Sequence, residues 1–198
     1  MTAIRRLGLL APLAALSLAG CGINSVPTAE EQVNAAWGNL QSEYQRRNDL
    51  VGNLVATVEQ SAKVEGDTLK EITEARASAT SIQLSADQLD DPEAVRAYAE
   101  AQGRLSSARS MLGTVIMEAY PELQSQQRFS DLMVQLEGTE NSILVARRDY
   151  NEAVQRYNTT IRTFPDAIGA KIFYGAEPKV PFEAAEGASE APTVEFNN

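Results

Sequence analysis

Apolar side chains recur at steps of three and four along most of the chain, the period of an α-helix that packs on one face. They fall first at Val33, Trp37, Leu40, Tyr44, Val51, Leu54 and Val58. This predicts a helix that starts near Thr28, where Thr28 and Glu31 can form a capping box, and runs to about Ala62. Gly66 and Asp67 offer a break and a new cap, and Leu69, Ile72, Ala79 and Ile82 mark a shorter second helix. Asp90-Asp91-Pro92-Glu93 carries the signals of another helix start: a capping aspartate, a proline where no donor is needed, and an acid at the positive helix end. The third helix then turns Val95, Tyr98, Leu105, Leu112, Ile116 and Ala119 inward until Tyr120-Pro121 ends or bends it. A fourth carries the longest pattern, from Phe129 to Phe164, with Pro165 as a stop. No segment reads as a strand. Short connections force neighbouring helices to reverse direction, so the expected fold is all-α, an antiparallel up-and-down four-helix bundle with long first and last helices.

Two interruptions of these stripes stand out. From Phe129, alternating steps of four and three give eleven positions, nine of them apolar or aromatic; the exceptions are Glu140 and Arg147. The first helix has Arg47 on its stripe between Tyr44 and Val51. A charge buried alone is costly, so these residues need partners, the bundle rim or a site. Antiparallel pairing of the first and last helices sets position 47 opposite about 141, which predicts an internal ion pair of Arg47 with Glu140, joined by Arg147, that fixes helix register. The pairs Tyr150-Asn151 and Tyr157-Asn158 stand seven residues apart and read as heptad core with hydroxyls at the rim, rather than a ligand ladder. Met111, Met117 and Met133 read as core filler. The compact apolar stretch of Ile168, Ile172, Phe173 and Tyr174 reads as a cap over one bundle end, with docking of a protein partner as the alternative.

The amino-terminal residues follow a different pattern. Arg5 and Arg6 precede a run from Leu7 to Leu18 broken only by Pro12 and Ser17, and then come Ala19, Gly20 and Cys21. These are the zones of a secretory signal, and the run falls short of the roughly twenty residues that a membrane-spanning helix needs. Leu18-Ala19-Gly20-Cys21 resembles the lipobox of bacterial lipoproteins, which implies cleavage before Cys21 and acylation of that cysteine. Cys21 is also the single cysteine of the chain, so an internal disulfide is excluded. The expected organisation is a signal peptide over 1–20, a tether over 21–29, the helical body over 30–182 and a disordered acidic tail over 183–198. The expected location is the bacterial cell envelope, lipid-anchored and facing the periplasm. Gly22, where aspartate would favour retention at the inner membrane, leans towards the outer one.

Composition narrows the chemistry. Seventeen Lys and Arg against twenty-seven Asp and Glu give a formal charge of −10, so nucleic acid is not an expected partner. Without residues 1–20 the charge is −12, and an acidic body stands off anionic membranes unless something else attaches it. The chain has no histidine, which excludes Ser-His and Cys-His nucleophiles, His-ligated metals and a di-iron bundle motif. Carboxylates are abundant, but no spacing singles out an acid and base pair. No catalytic residue, metal ligand or cofactor is expected.

Several blocks in order resemble the LemA family of bacterial membrane proteins. They are Gln45-Arg46-Arg47-Asn48-Asp49-Leu50-Val51-Gly52-Asn53-Leu54-Val55, Glu74-Ala75-Arg76-Ala77, Ala119-Tyr120-Pro121-Glu122-Leu123 leading to Phe129, and Glu140 to Phe164-Pro165. The resemblance covers roughly residues 30–182 and implies an all-α antiparallel core, attachment to the envelope, and partners among membrane proteins and proteases. It implies no established reaction. Gly52 departs from the proline usual in that block, and Cys21 departs from the uncut amino-terminal helix usual in the family. The function expected is a non-catalytic adaptor or scaffold for an envelope protein, such as a membrane protease or a component of a membrane complex. A periplasmic holdase and a carboxylate-dependent hydrolase are the alternatives.

Overall fold

The computed structural model describes residues 24–61 and 66–183, so Cys21, the signal segment and all but the first residue of the acidic tail lie outside the described residues. Among the described residues the secondary structure is entirely helical: α1 (Ser25–Ser61), α2 (Gly66–Ser81), α3 (Pro92–Ala119), α4 (Pro121–Gln124), α5 (Gln127–Thr160) and α6 (Asp166–Gly169). A 3₁₀ turn at Ala86–Gln88 links α2 to α3, and a π-type turn over Ala170–Tyr174 follows α6.

Helix α1 starts earlier than its capping signals indicate. The Thr28 hydroxyl donates back to the Asn24 carbonyl at 2.6 Å instead of capping forward, and Pro27 sits in the first turn, where its missing donor costs nothing. Val26 and Ala29 are buried, so the packed stripe already begins within the segment read as a tether. The other boundaries follow local chemistry. Asp91 Oδ1 accepts from the Glu93 and Ala94 amides at 2.9 and 3.3 Å and starts α3, with Pro92 in the first turn. Tyr120, before Pro121, leaves the helical region at φ −134° and ends it. Helix α5 stops at Thr160, short of Pro165, and the stripe fails at its end, because Phe164 is 80% exposed.

Helix α1 runs antiparallel to α5, with Ser25 beside Asp166 at one end and Arg47 beside Glu140 near the middle. The apolar interior forms two bodies. One gathers Val33, Trp37, Leu40, Tyr44, Tyr98, Ile143, Tyr150, Tyr157 and Phe182; the other gathers Val51, Leu54, Val58, Ile72, Leu105, Leu112, Ile116, Phe129 and Leu136. On every long helix the break falls at the same level: between residues 44 and 50 on α1, 98 and 105 on α3, and 136 and 143 on α5. Polar side chains fill that level.

Some expected core positions lie outside it. Met111 and Met117 are 48% and 62% exposed, and Ala119 faces solvent, so the two methionines are not core filler; Met133 is half-buried.

Candidate functional site

The polar level centres on Arg47, which is 1% exposed. Its Nη1 donates to Ser106 Oγ at 2.6 Å, and its Nη2 donates to the Gln102 carbonyl and to Gln102 Oε1 at 3.1 and 2.6 Å. Gln102 passes the connection on by donating from Nε2 to the Ala79 carbonyl at 3.1 Å, tying α3 to α2. Glu140 Oε1 lies 3.6 Å from Arg47 Nη1 and 3.4 Å from Arg109 Nε, two ionic contacts without hydrogen-bond geometry. The Arg47 guanidinium also stacks 5.0 Å from the centre of the Tyr44 ring. Burial pulls its pKa down from the ordinary arginine range, and Glu140 opposes that shift.

Arg147 takes no part in this level, against expectation. It is half-buried, its Nη2 donates to the Glu183 carbonyl at 2.6 Å, and its guanidinium lies 6.0 Å from the centre of the Phe182 ring. The residues that do join are Gln102, Arg109 and Arg76. The stripe rule finds them: steps of three and four from Val95 pass through residues 98, 102, 105, 109, 112 and 116, and from Leu69 through 72, 76 and 79.

Arg76 explains the glycine at 52. Arg76 Nε donates to the Asn48 carbonyl at 2.9 Å, and its guanidinium lies so close to Gly52 that an added Cβ would sit 2.9 Å from it. Alanine normally gains about 1 kcal/mol over glycine inside a helix. Here the gain is cancelled by displacing a charged donor, so Gly52→Ala should leave stability unchanged or lower it. In an Arg76→Ala background the same change should stabilise by about 1 kcal/mol. Urea unfolding of the four proteins checks this; an equal effect in both backgrounds would contradict the contact.

The second construction is a strap. After Gly175, which adopts a left-handed φ of 55°, the chain runs extended across the helices from Ala176 to Glu183. Asn158 Nδ2 donates to the Lys179 carbonyl and its Oδ1 accepts from the Lys179 amide, at 2.8 and 2.9 Å. Asn151 repeats this pairing with Phe182 at 2.8 Å in both directions. Two asparagines, two helical turns apart, thus hold backbone groups three residues apart. Tyr150 adds a bond from its hydroxyl to the Val180 carbonyl at 2.9 Å, and the Val180 amide donates to the Leu89 carbonyl at 2.8 Å. Phe182 stacks on Trp37, centroids 5.8 Å apart and planes 16° apart, with Tyr150 edge-on at 5.3 Å. Lys179 is buried beside Glu30 and Asp90 at 3.7 and 3.9 Å. Burial drives the Tyr98 and Tyr150 phenols well above the ordinary tyrosine range, and pushes Tyr157 up to about 12, so these rings stay neutral.

The strap closes the end of the core assigned by expectation to Ile168, Ile172, Phe173 and Tyr174. Those four side chains are 53%, 69%, 67% and 43% exposed and lie outside the core, and Ala170, Val180 and Phe182 pack against it instead. Two grooves open along α5. The larger, about 700 Å³, lies against the start of α1 and is lined by Ser25, Gln32, Gln155, Arg156 and Thr159 among others; the smaller, about 440 Å³, runs beside Asn158 and Pro181. Neither carries a carboxylate in its lining. Among the described residues no cluster of three acids, cysteines or histidines is placed to hold a metal ion, and no helix is long and apolar enough to cross a membrane.

Comparison with known proteins places this architecture. The chain is similar to magnetosome proteins MamQ 1 and MamQ 2 of Paramagnetospirillum magneticum, 28% identical over 158 residues, covering 72% of this chain and 58% of the relative. It is 29% identical, over the same shares, to magnetosome protein MamQ of Magnetospirillum gryphiswaldense. The match thus spans little more than half the length of these relatives. The model of the LemA family matches residues 36–196, most of the chain and all of the polar level, and the chain belongs to the LemA family.

Proposed function

We propose that this LemA-family chain is a non-catalytic adaptor, a four-helix bundle held at the bacterial envelope by acylated Cys21, that presents its long helices to a protein partner on the periplasmic side. The observation that supports this reading is the use made of the polar interior. Its carboxylate, Glu140, is clamped by Arg47 and Arg109, while Arg76 and Gln102 serve backbone carbonyls of neighbouring helices. Such a network fixes how helices align and commits Glu140 to two guanidinium groups rather than to a substrate. The relatives are named for a location, the magnetosome, and not for a reaction.

The partner face we assign to α5, where Val134, Leu144 and Val145 are 66%, 62% and 48% exposed on a helix whose outward positions are otherwise mostly polar or charged. A photo-crosslinking side chain at Val145, in intact cells, should give one discrete protein adduct that Leu144→Asp abolishes while helix content is unchanged. No adduct would count against an adaptor, and a broad smear would favour the holdase reading. Acyl labelling tests the anchor separately: it should disappear in Cys21→Ser, and labelling that persists would defeat that assignment.

A further inference from the structure

The exposed aromatic side chains among the described residues are Phe164, Phe173 and Tyr174, and they share one short segment with exposed Ile168 and Ile172. A folded chain of this size has a core able to cover them, and it covers the adjacent Gly169 and Ala170 instead. The position of the segment says what it meets. Ser25 Oγ donates to Asp166 Oδ1 at 2.7 Å, which pins the start of α1 beside α6. Cys21 precedes Ser25 by four residues, so even a fully extended chain keeps it within about 14 Å of that point. The apolar run Leu7–Leu18 lies just upstream. From Leu18 the reach to Ser25 is about 25 Å, so an anchor at either place keeps the Ser25–Asp166 end of the molecule, and with it the segment Ile168–Tyr174, within reach of the membrane surface.

We propose that this tip is a membrane-dipping element: Phe164, Ile168, Ile172, Phe173 and Tyr174 enter the headgroup and upper acyl region of the bilayer, and the lipid surface is the cover that the protein does not provide. It rests on the reading that the amino-terminal segment holds the chain at a membrane. Aromatic rings favour that depth, and exposed Lys171 and Arg162 flank the apolar residues where an anionic headgroup could meet them. Glu177 faces solvent nearby and marks the edge that remains in water. The mode is shallow insertion of a turn, distinct from the tight attachment of acyl chains. One consequence is orientation. With the tip seated, α1 and α5 rise from the surface, and the 37 residues of α1 reach about 55 Å from it.

The test uses the full chain in phosphatidylethanolamine and phosphatidylglycerol vesicles, with a nitroxide-bearing amino acid installed directly at position 172 and, as reference, at position 145, so that an unacylated Cys21 takes no label. Both side chains are exposed, so neither change disturbs the core. The ratio of oxygen to nickel-chelate accessibility should be several-fold higher at 172 than at 145. A water-like ratio at 172 on vesicles that carry the protein overturns the proposal. So does a label that is water-like on pure vesicles and immobilised only in native envelope, since that result assigns the tip to a protein partner. Acyl labelling of Cys21 is read on the same samples. If it is absent while 172 still reports lipid, the anchor chemistry falls and the dipping tip stands; a chain that neither labels nor floats with vesicles overturns both.

Discussion

Replacing Glu140 with glutamine should lower the unfolding free energy by about 3 kcal/mol, the lower end of the range for removing one member of a buried ion pair. Glutamine keeps the shape of the side chain but loses its charge and exchanges one acceptor oxygen for an NH2 donor. Arg47, 1% exposed, and Arg109 are then left facing each other across a site with no anion. The lower end applies because the Glu140 side chain is 23% exposed and its contacts, at 3.4 and 3.6 Å, are not hydrogen bonds. Arg47→Met alone should cost a similar amount for a different reason, since it strands Ser106 Oγ and Gln102 Oε1. The two changes together should recover part of the loss but not all, because Arg109 still lacks its carboxylate. Adding Arg109→Met should recover more. Urea unfolding of the series checks this, repeated at high salt, where a buried network keeps its coupling and a surface pair does not. Additivity of Arg47→Met and Glu140→Gln within about 0.5 kcal/mol would show that the two side chains do not interact.

That pair could be anticipated because both residues interrupt stripes that are apolar on either side of them. Arg47 lies between Tyr44 and Val51, Glu140 between Leu136 and Ile143, and antiparallel pairing brings the two levels together. Periodicity carries such information because one face of a helix is repeated many times. Gln102, Arg109 and Arg76 obey the same rule, but a reading that collects apolar positions passes over the polar ones between them. Arg147 shows the limit in the other direction. It lies on the stripe, yet the stripe gives rotation about the axis and not what stands opposite, and beside Arg147 stands the strap and not another helix. The strap has no period to read. Its fixed points are backbone groups of Lys179 and Phe182, and the signal for them was on α5, in the repeat of Tyr-Asn at 150 and 157. Asparagine beside a core tyrosine, twice at heptad spacing, places two amide forks along one edge of a helix, as a segment of extended backbone requires. The stretch from Ile168 to Tyr174 misled for a related reason. Local apolarity says that something must cover those side chains, and nothing in the segment itself tells core from lipid or partner.

Phe182→Ala should cost about 3–5 kcal/mol, the usual range for emptying a buried phenylalanine site. The ring is 4% exposed and lies flat on Trp37, so its removal opens the core directly beneath the strap. Asn151→Ala removes both side-chain bonds to the Phe182 backbone but leaves the ring in place; it should cost about 1–2 kcal/mol. Tryptophan emission separates loss of the ring from loss of an asparagine anchor further along the strap. Trp37 is the single tryptophan of the chain, with its indole N–H donating to the Leu84 carbonyl at 3.2 Å. Phe182→Ala admits water to the indole face and should move its emission to longer wavelength in the folded protein, whereas Asn158→Ala, acting at Lys179 beyond the aromatic cluster, should not. A loss below about 1 kcal/mol for Phe182→Ala, or an unchanged emission maximum, would mean that the core closes without the strap. If both effects appear, the folded unit extends through Phe182. The helices alone are then an incomplete body, and any partner that grips residues 176–183 must first compete with Trp37, Tyr150 and Asn151 for them.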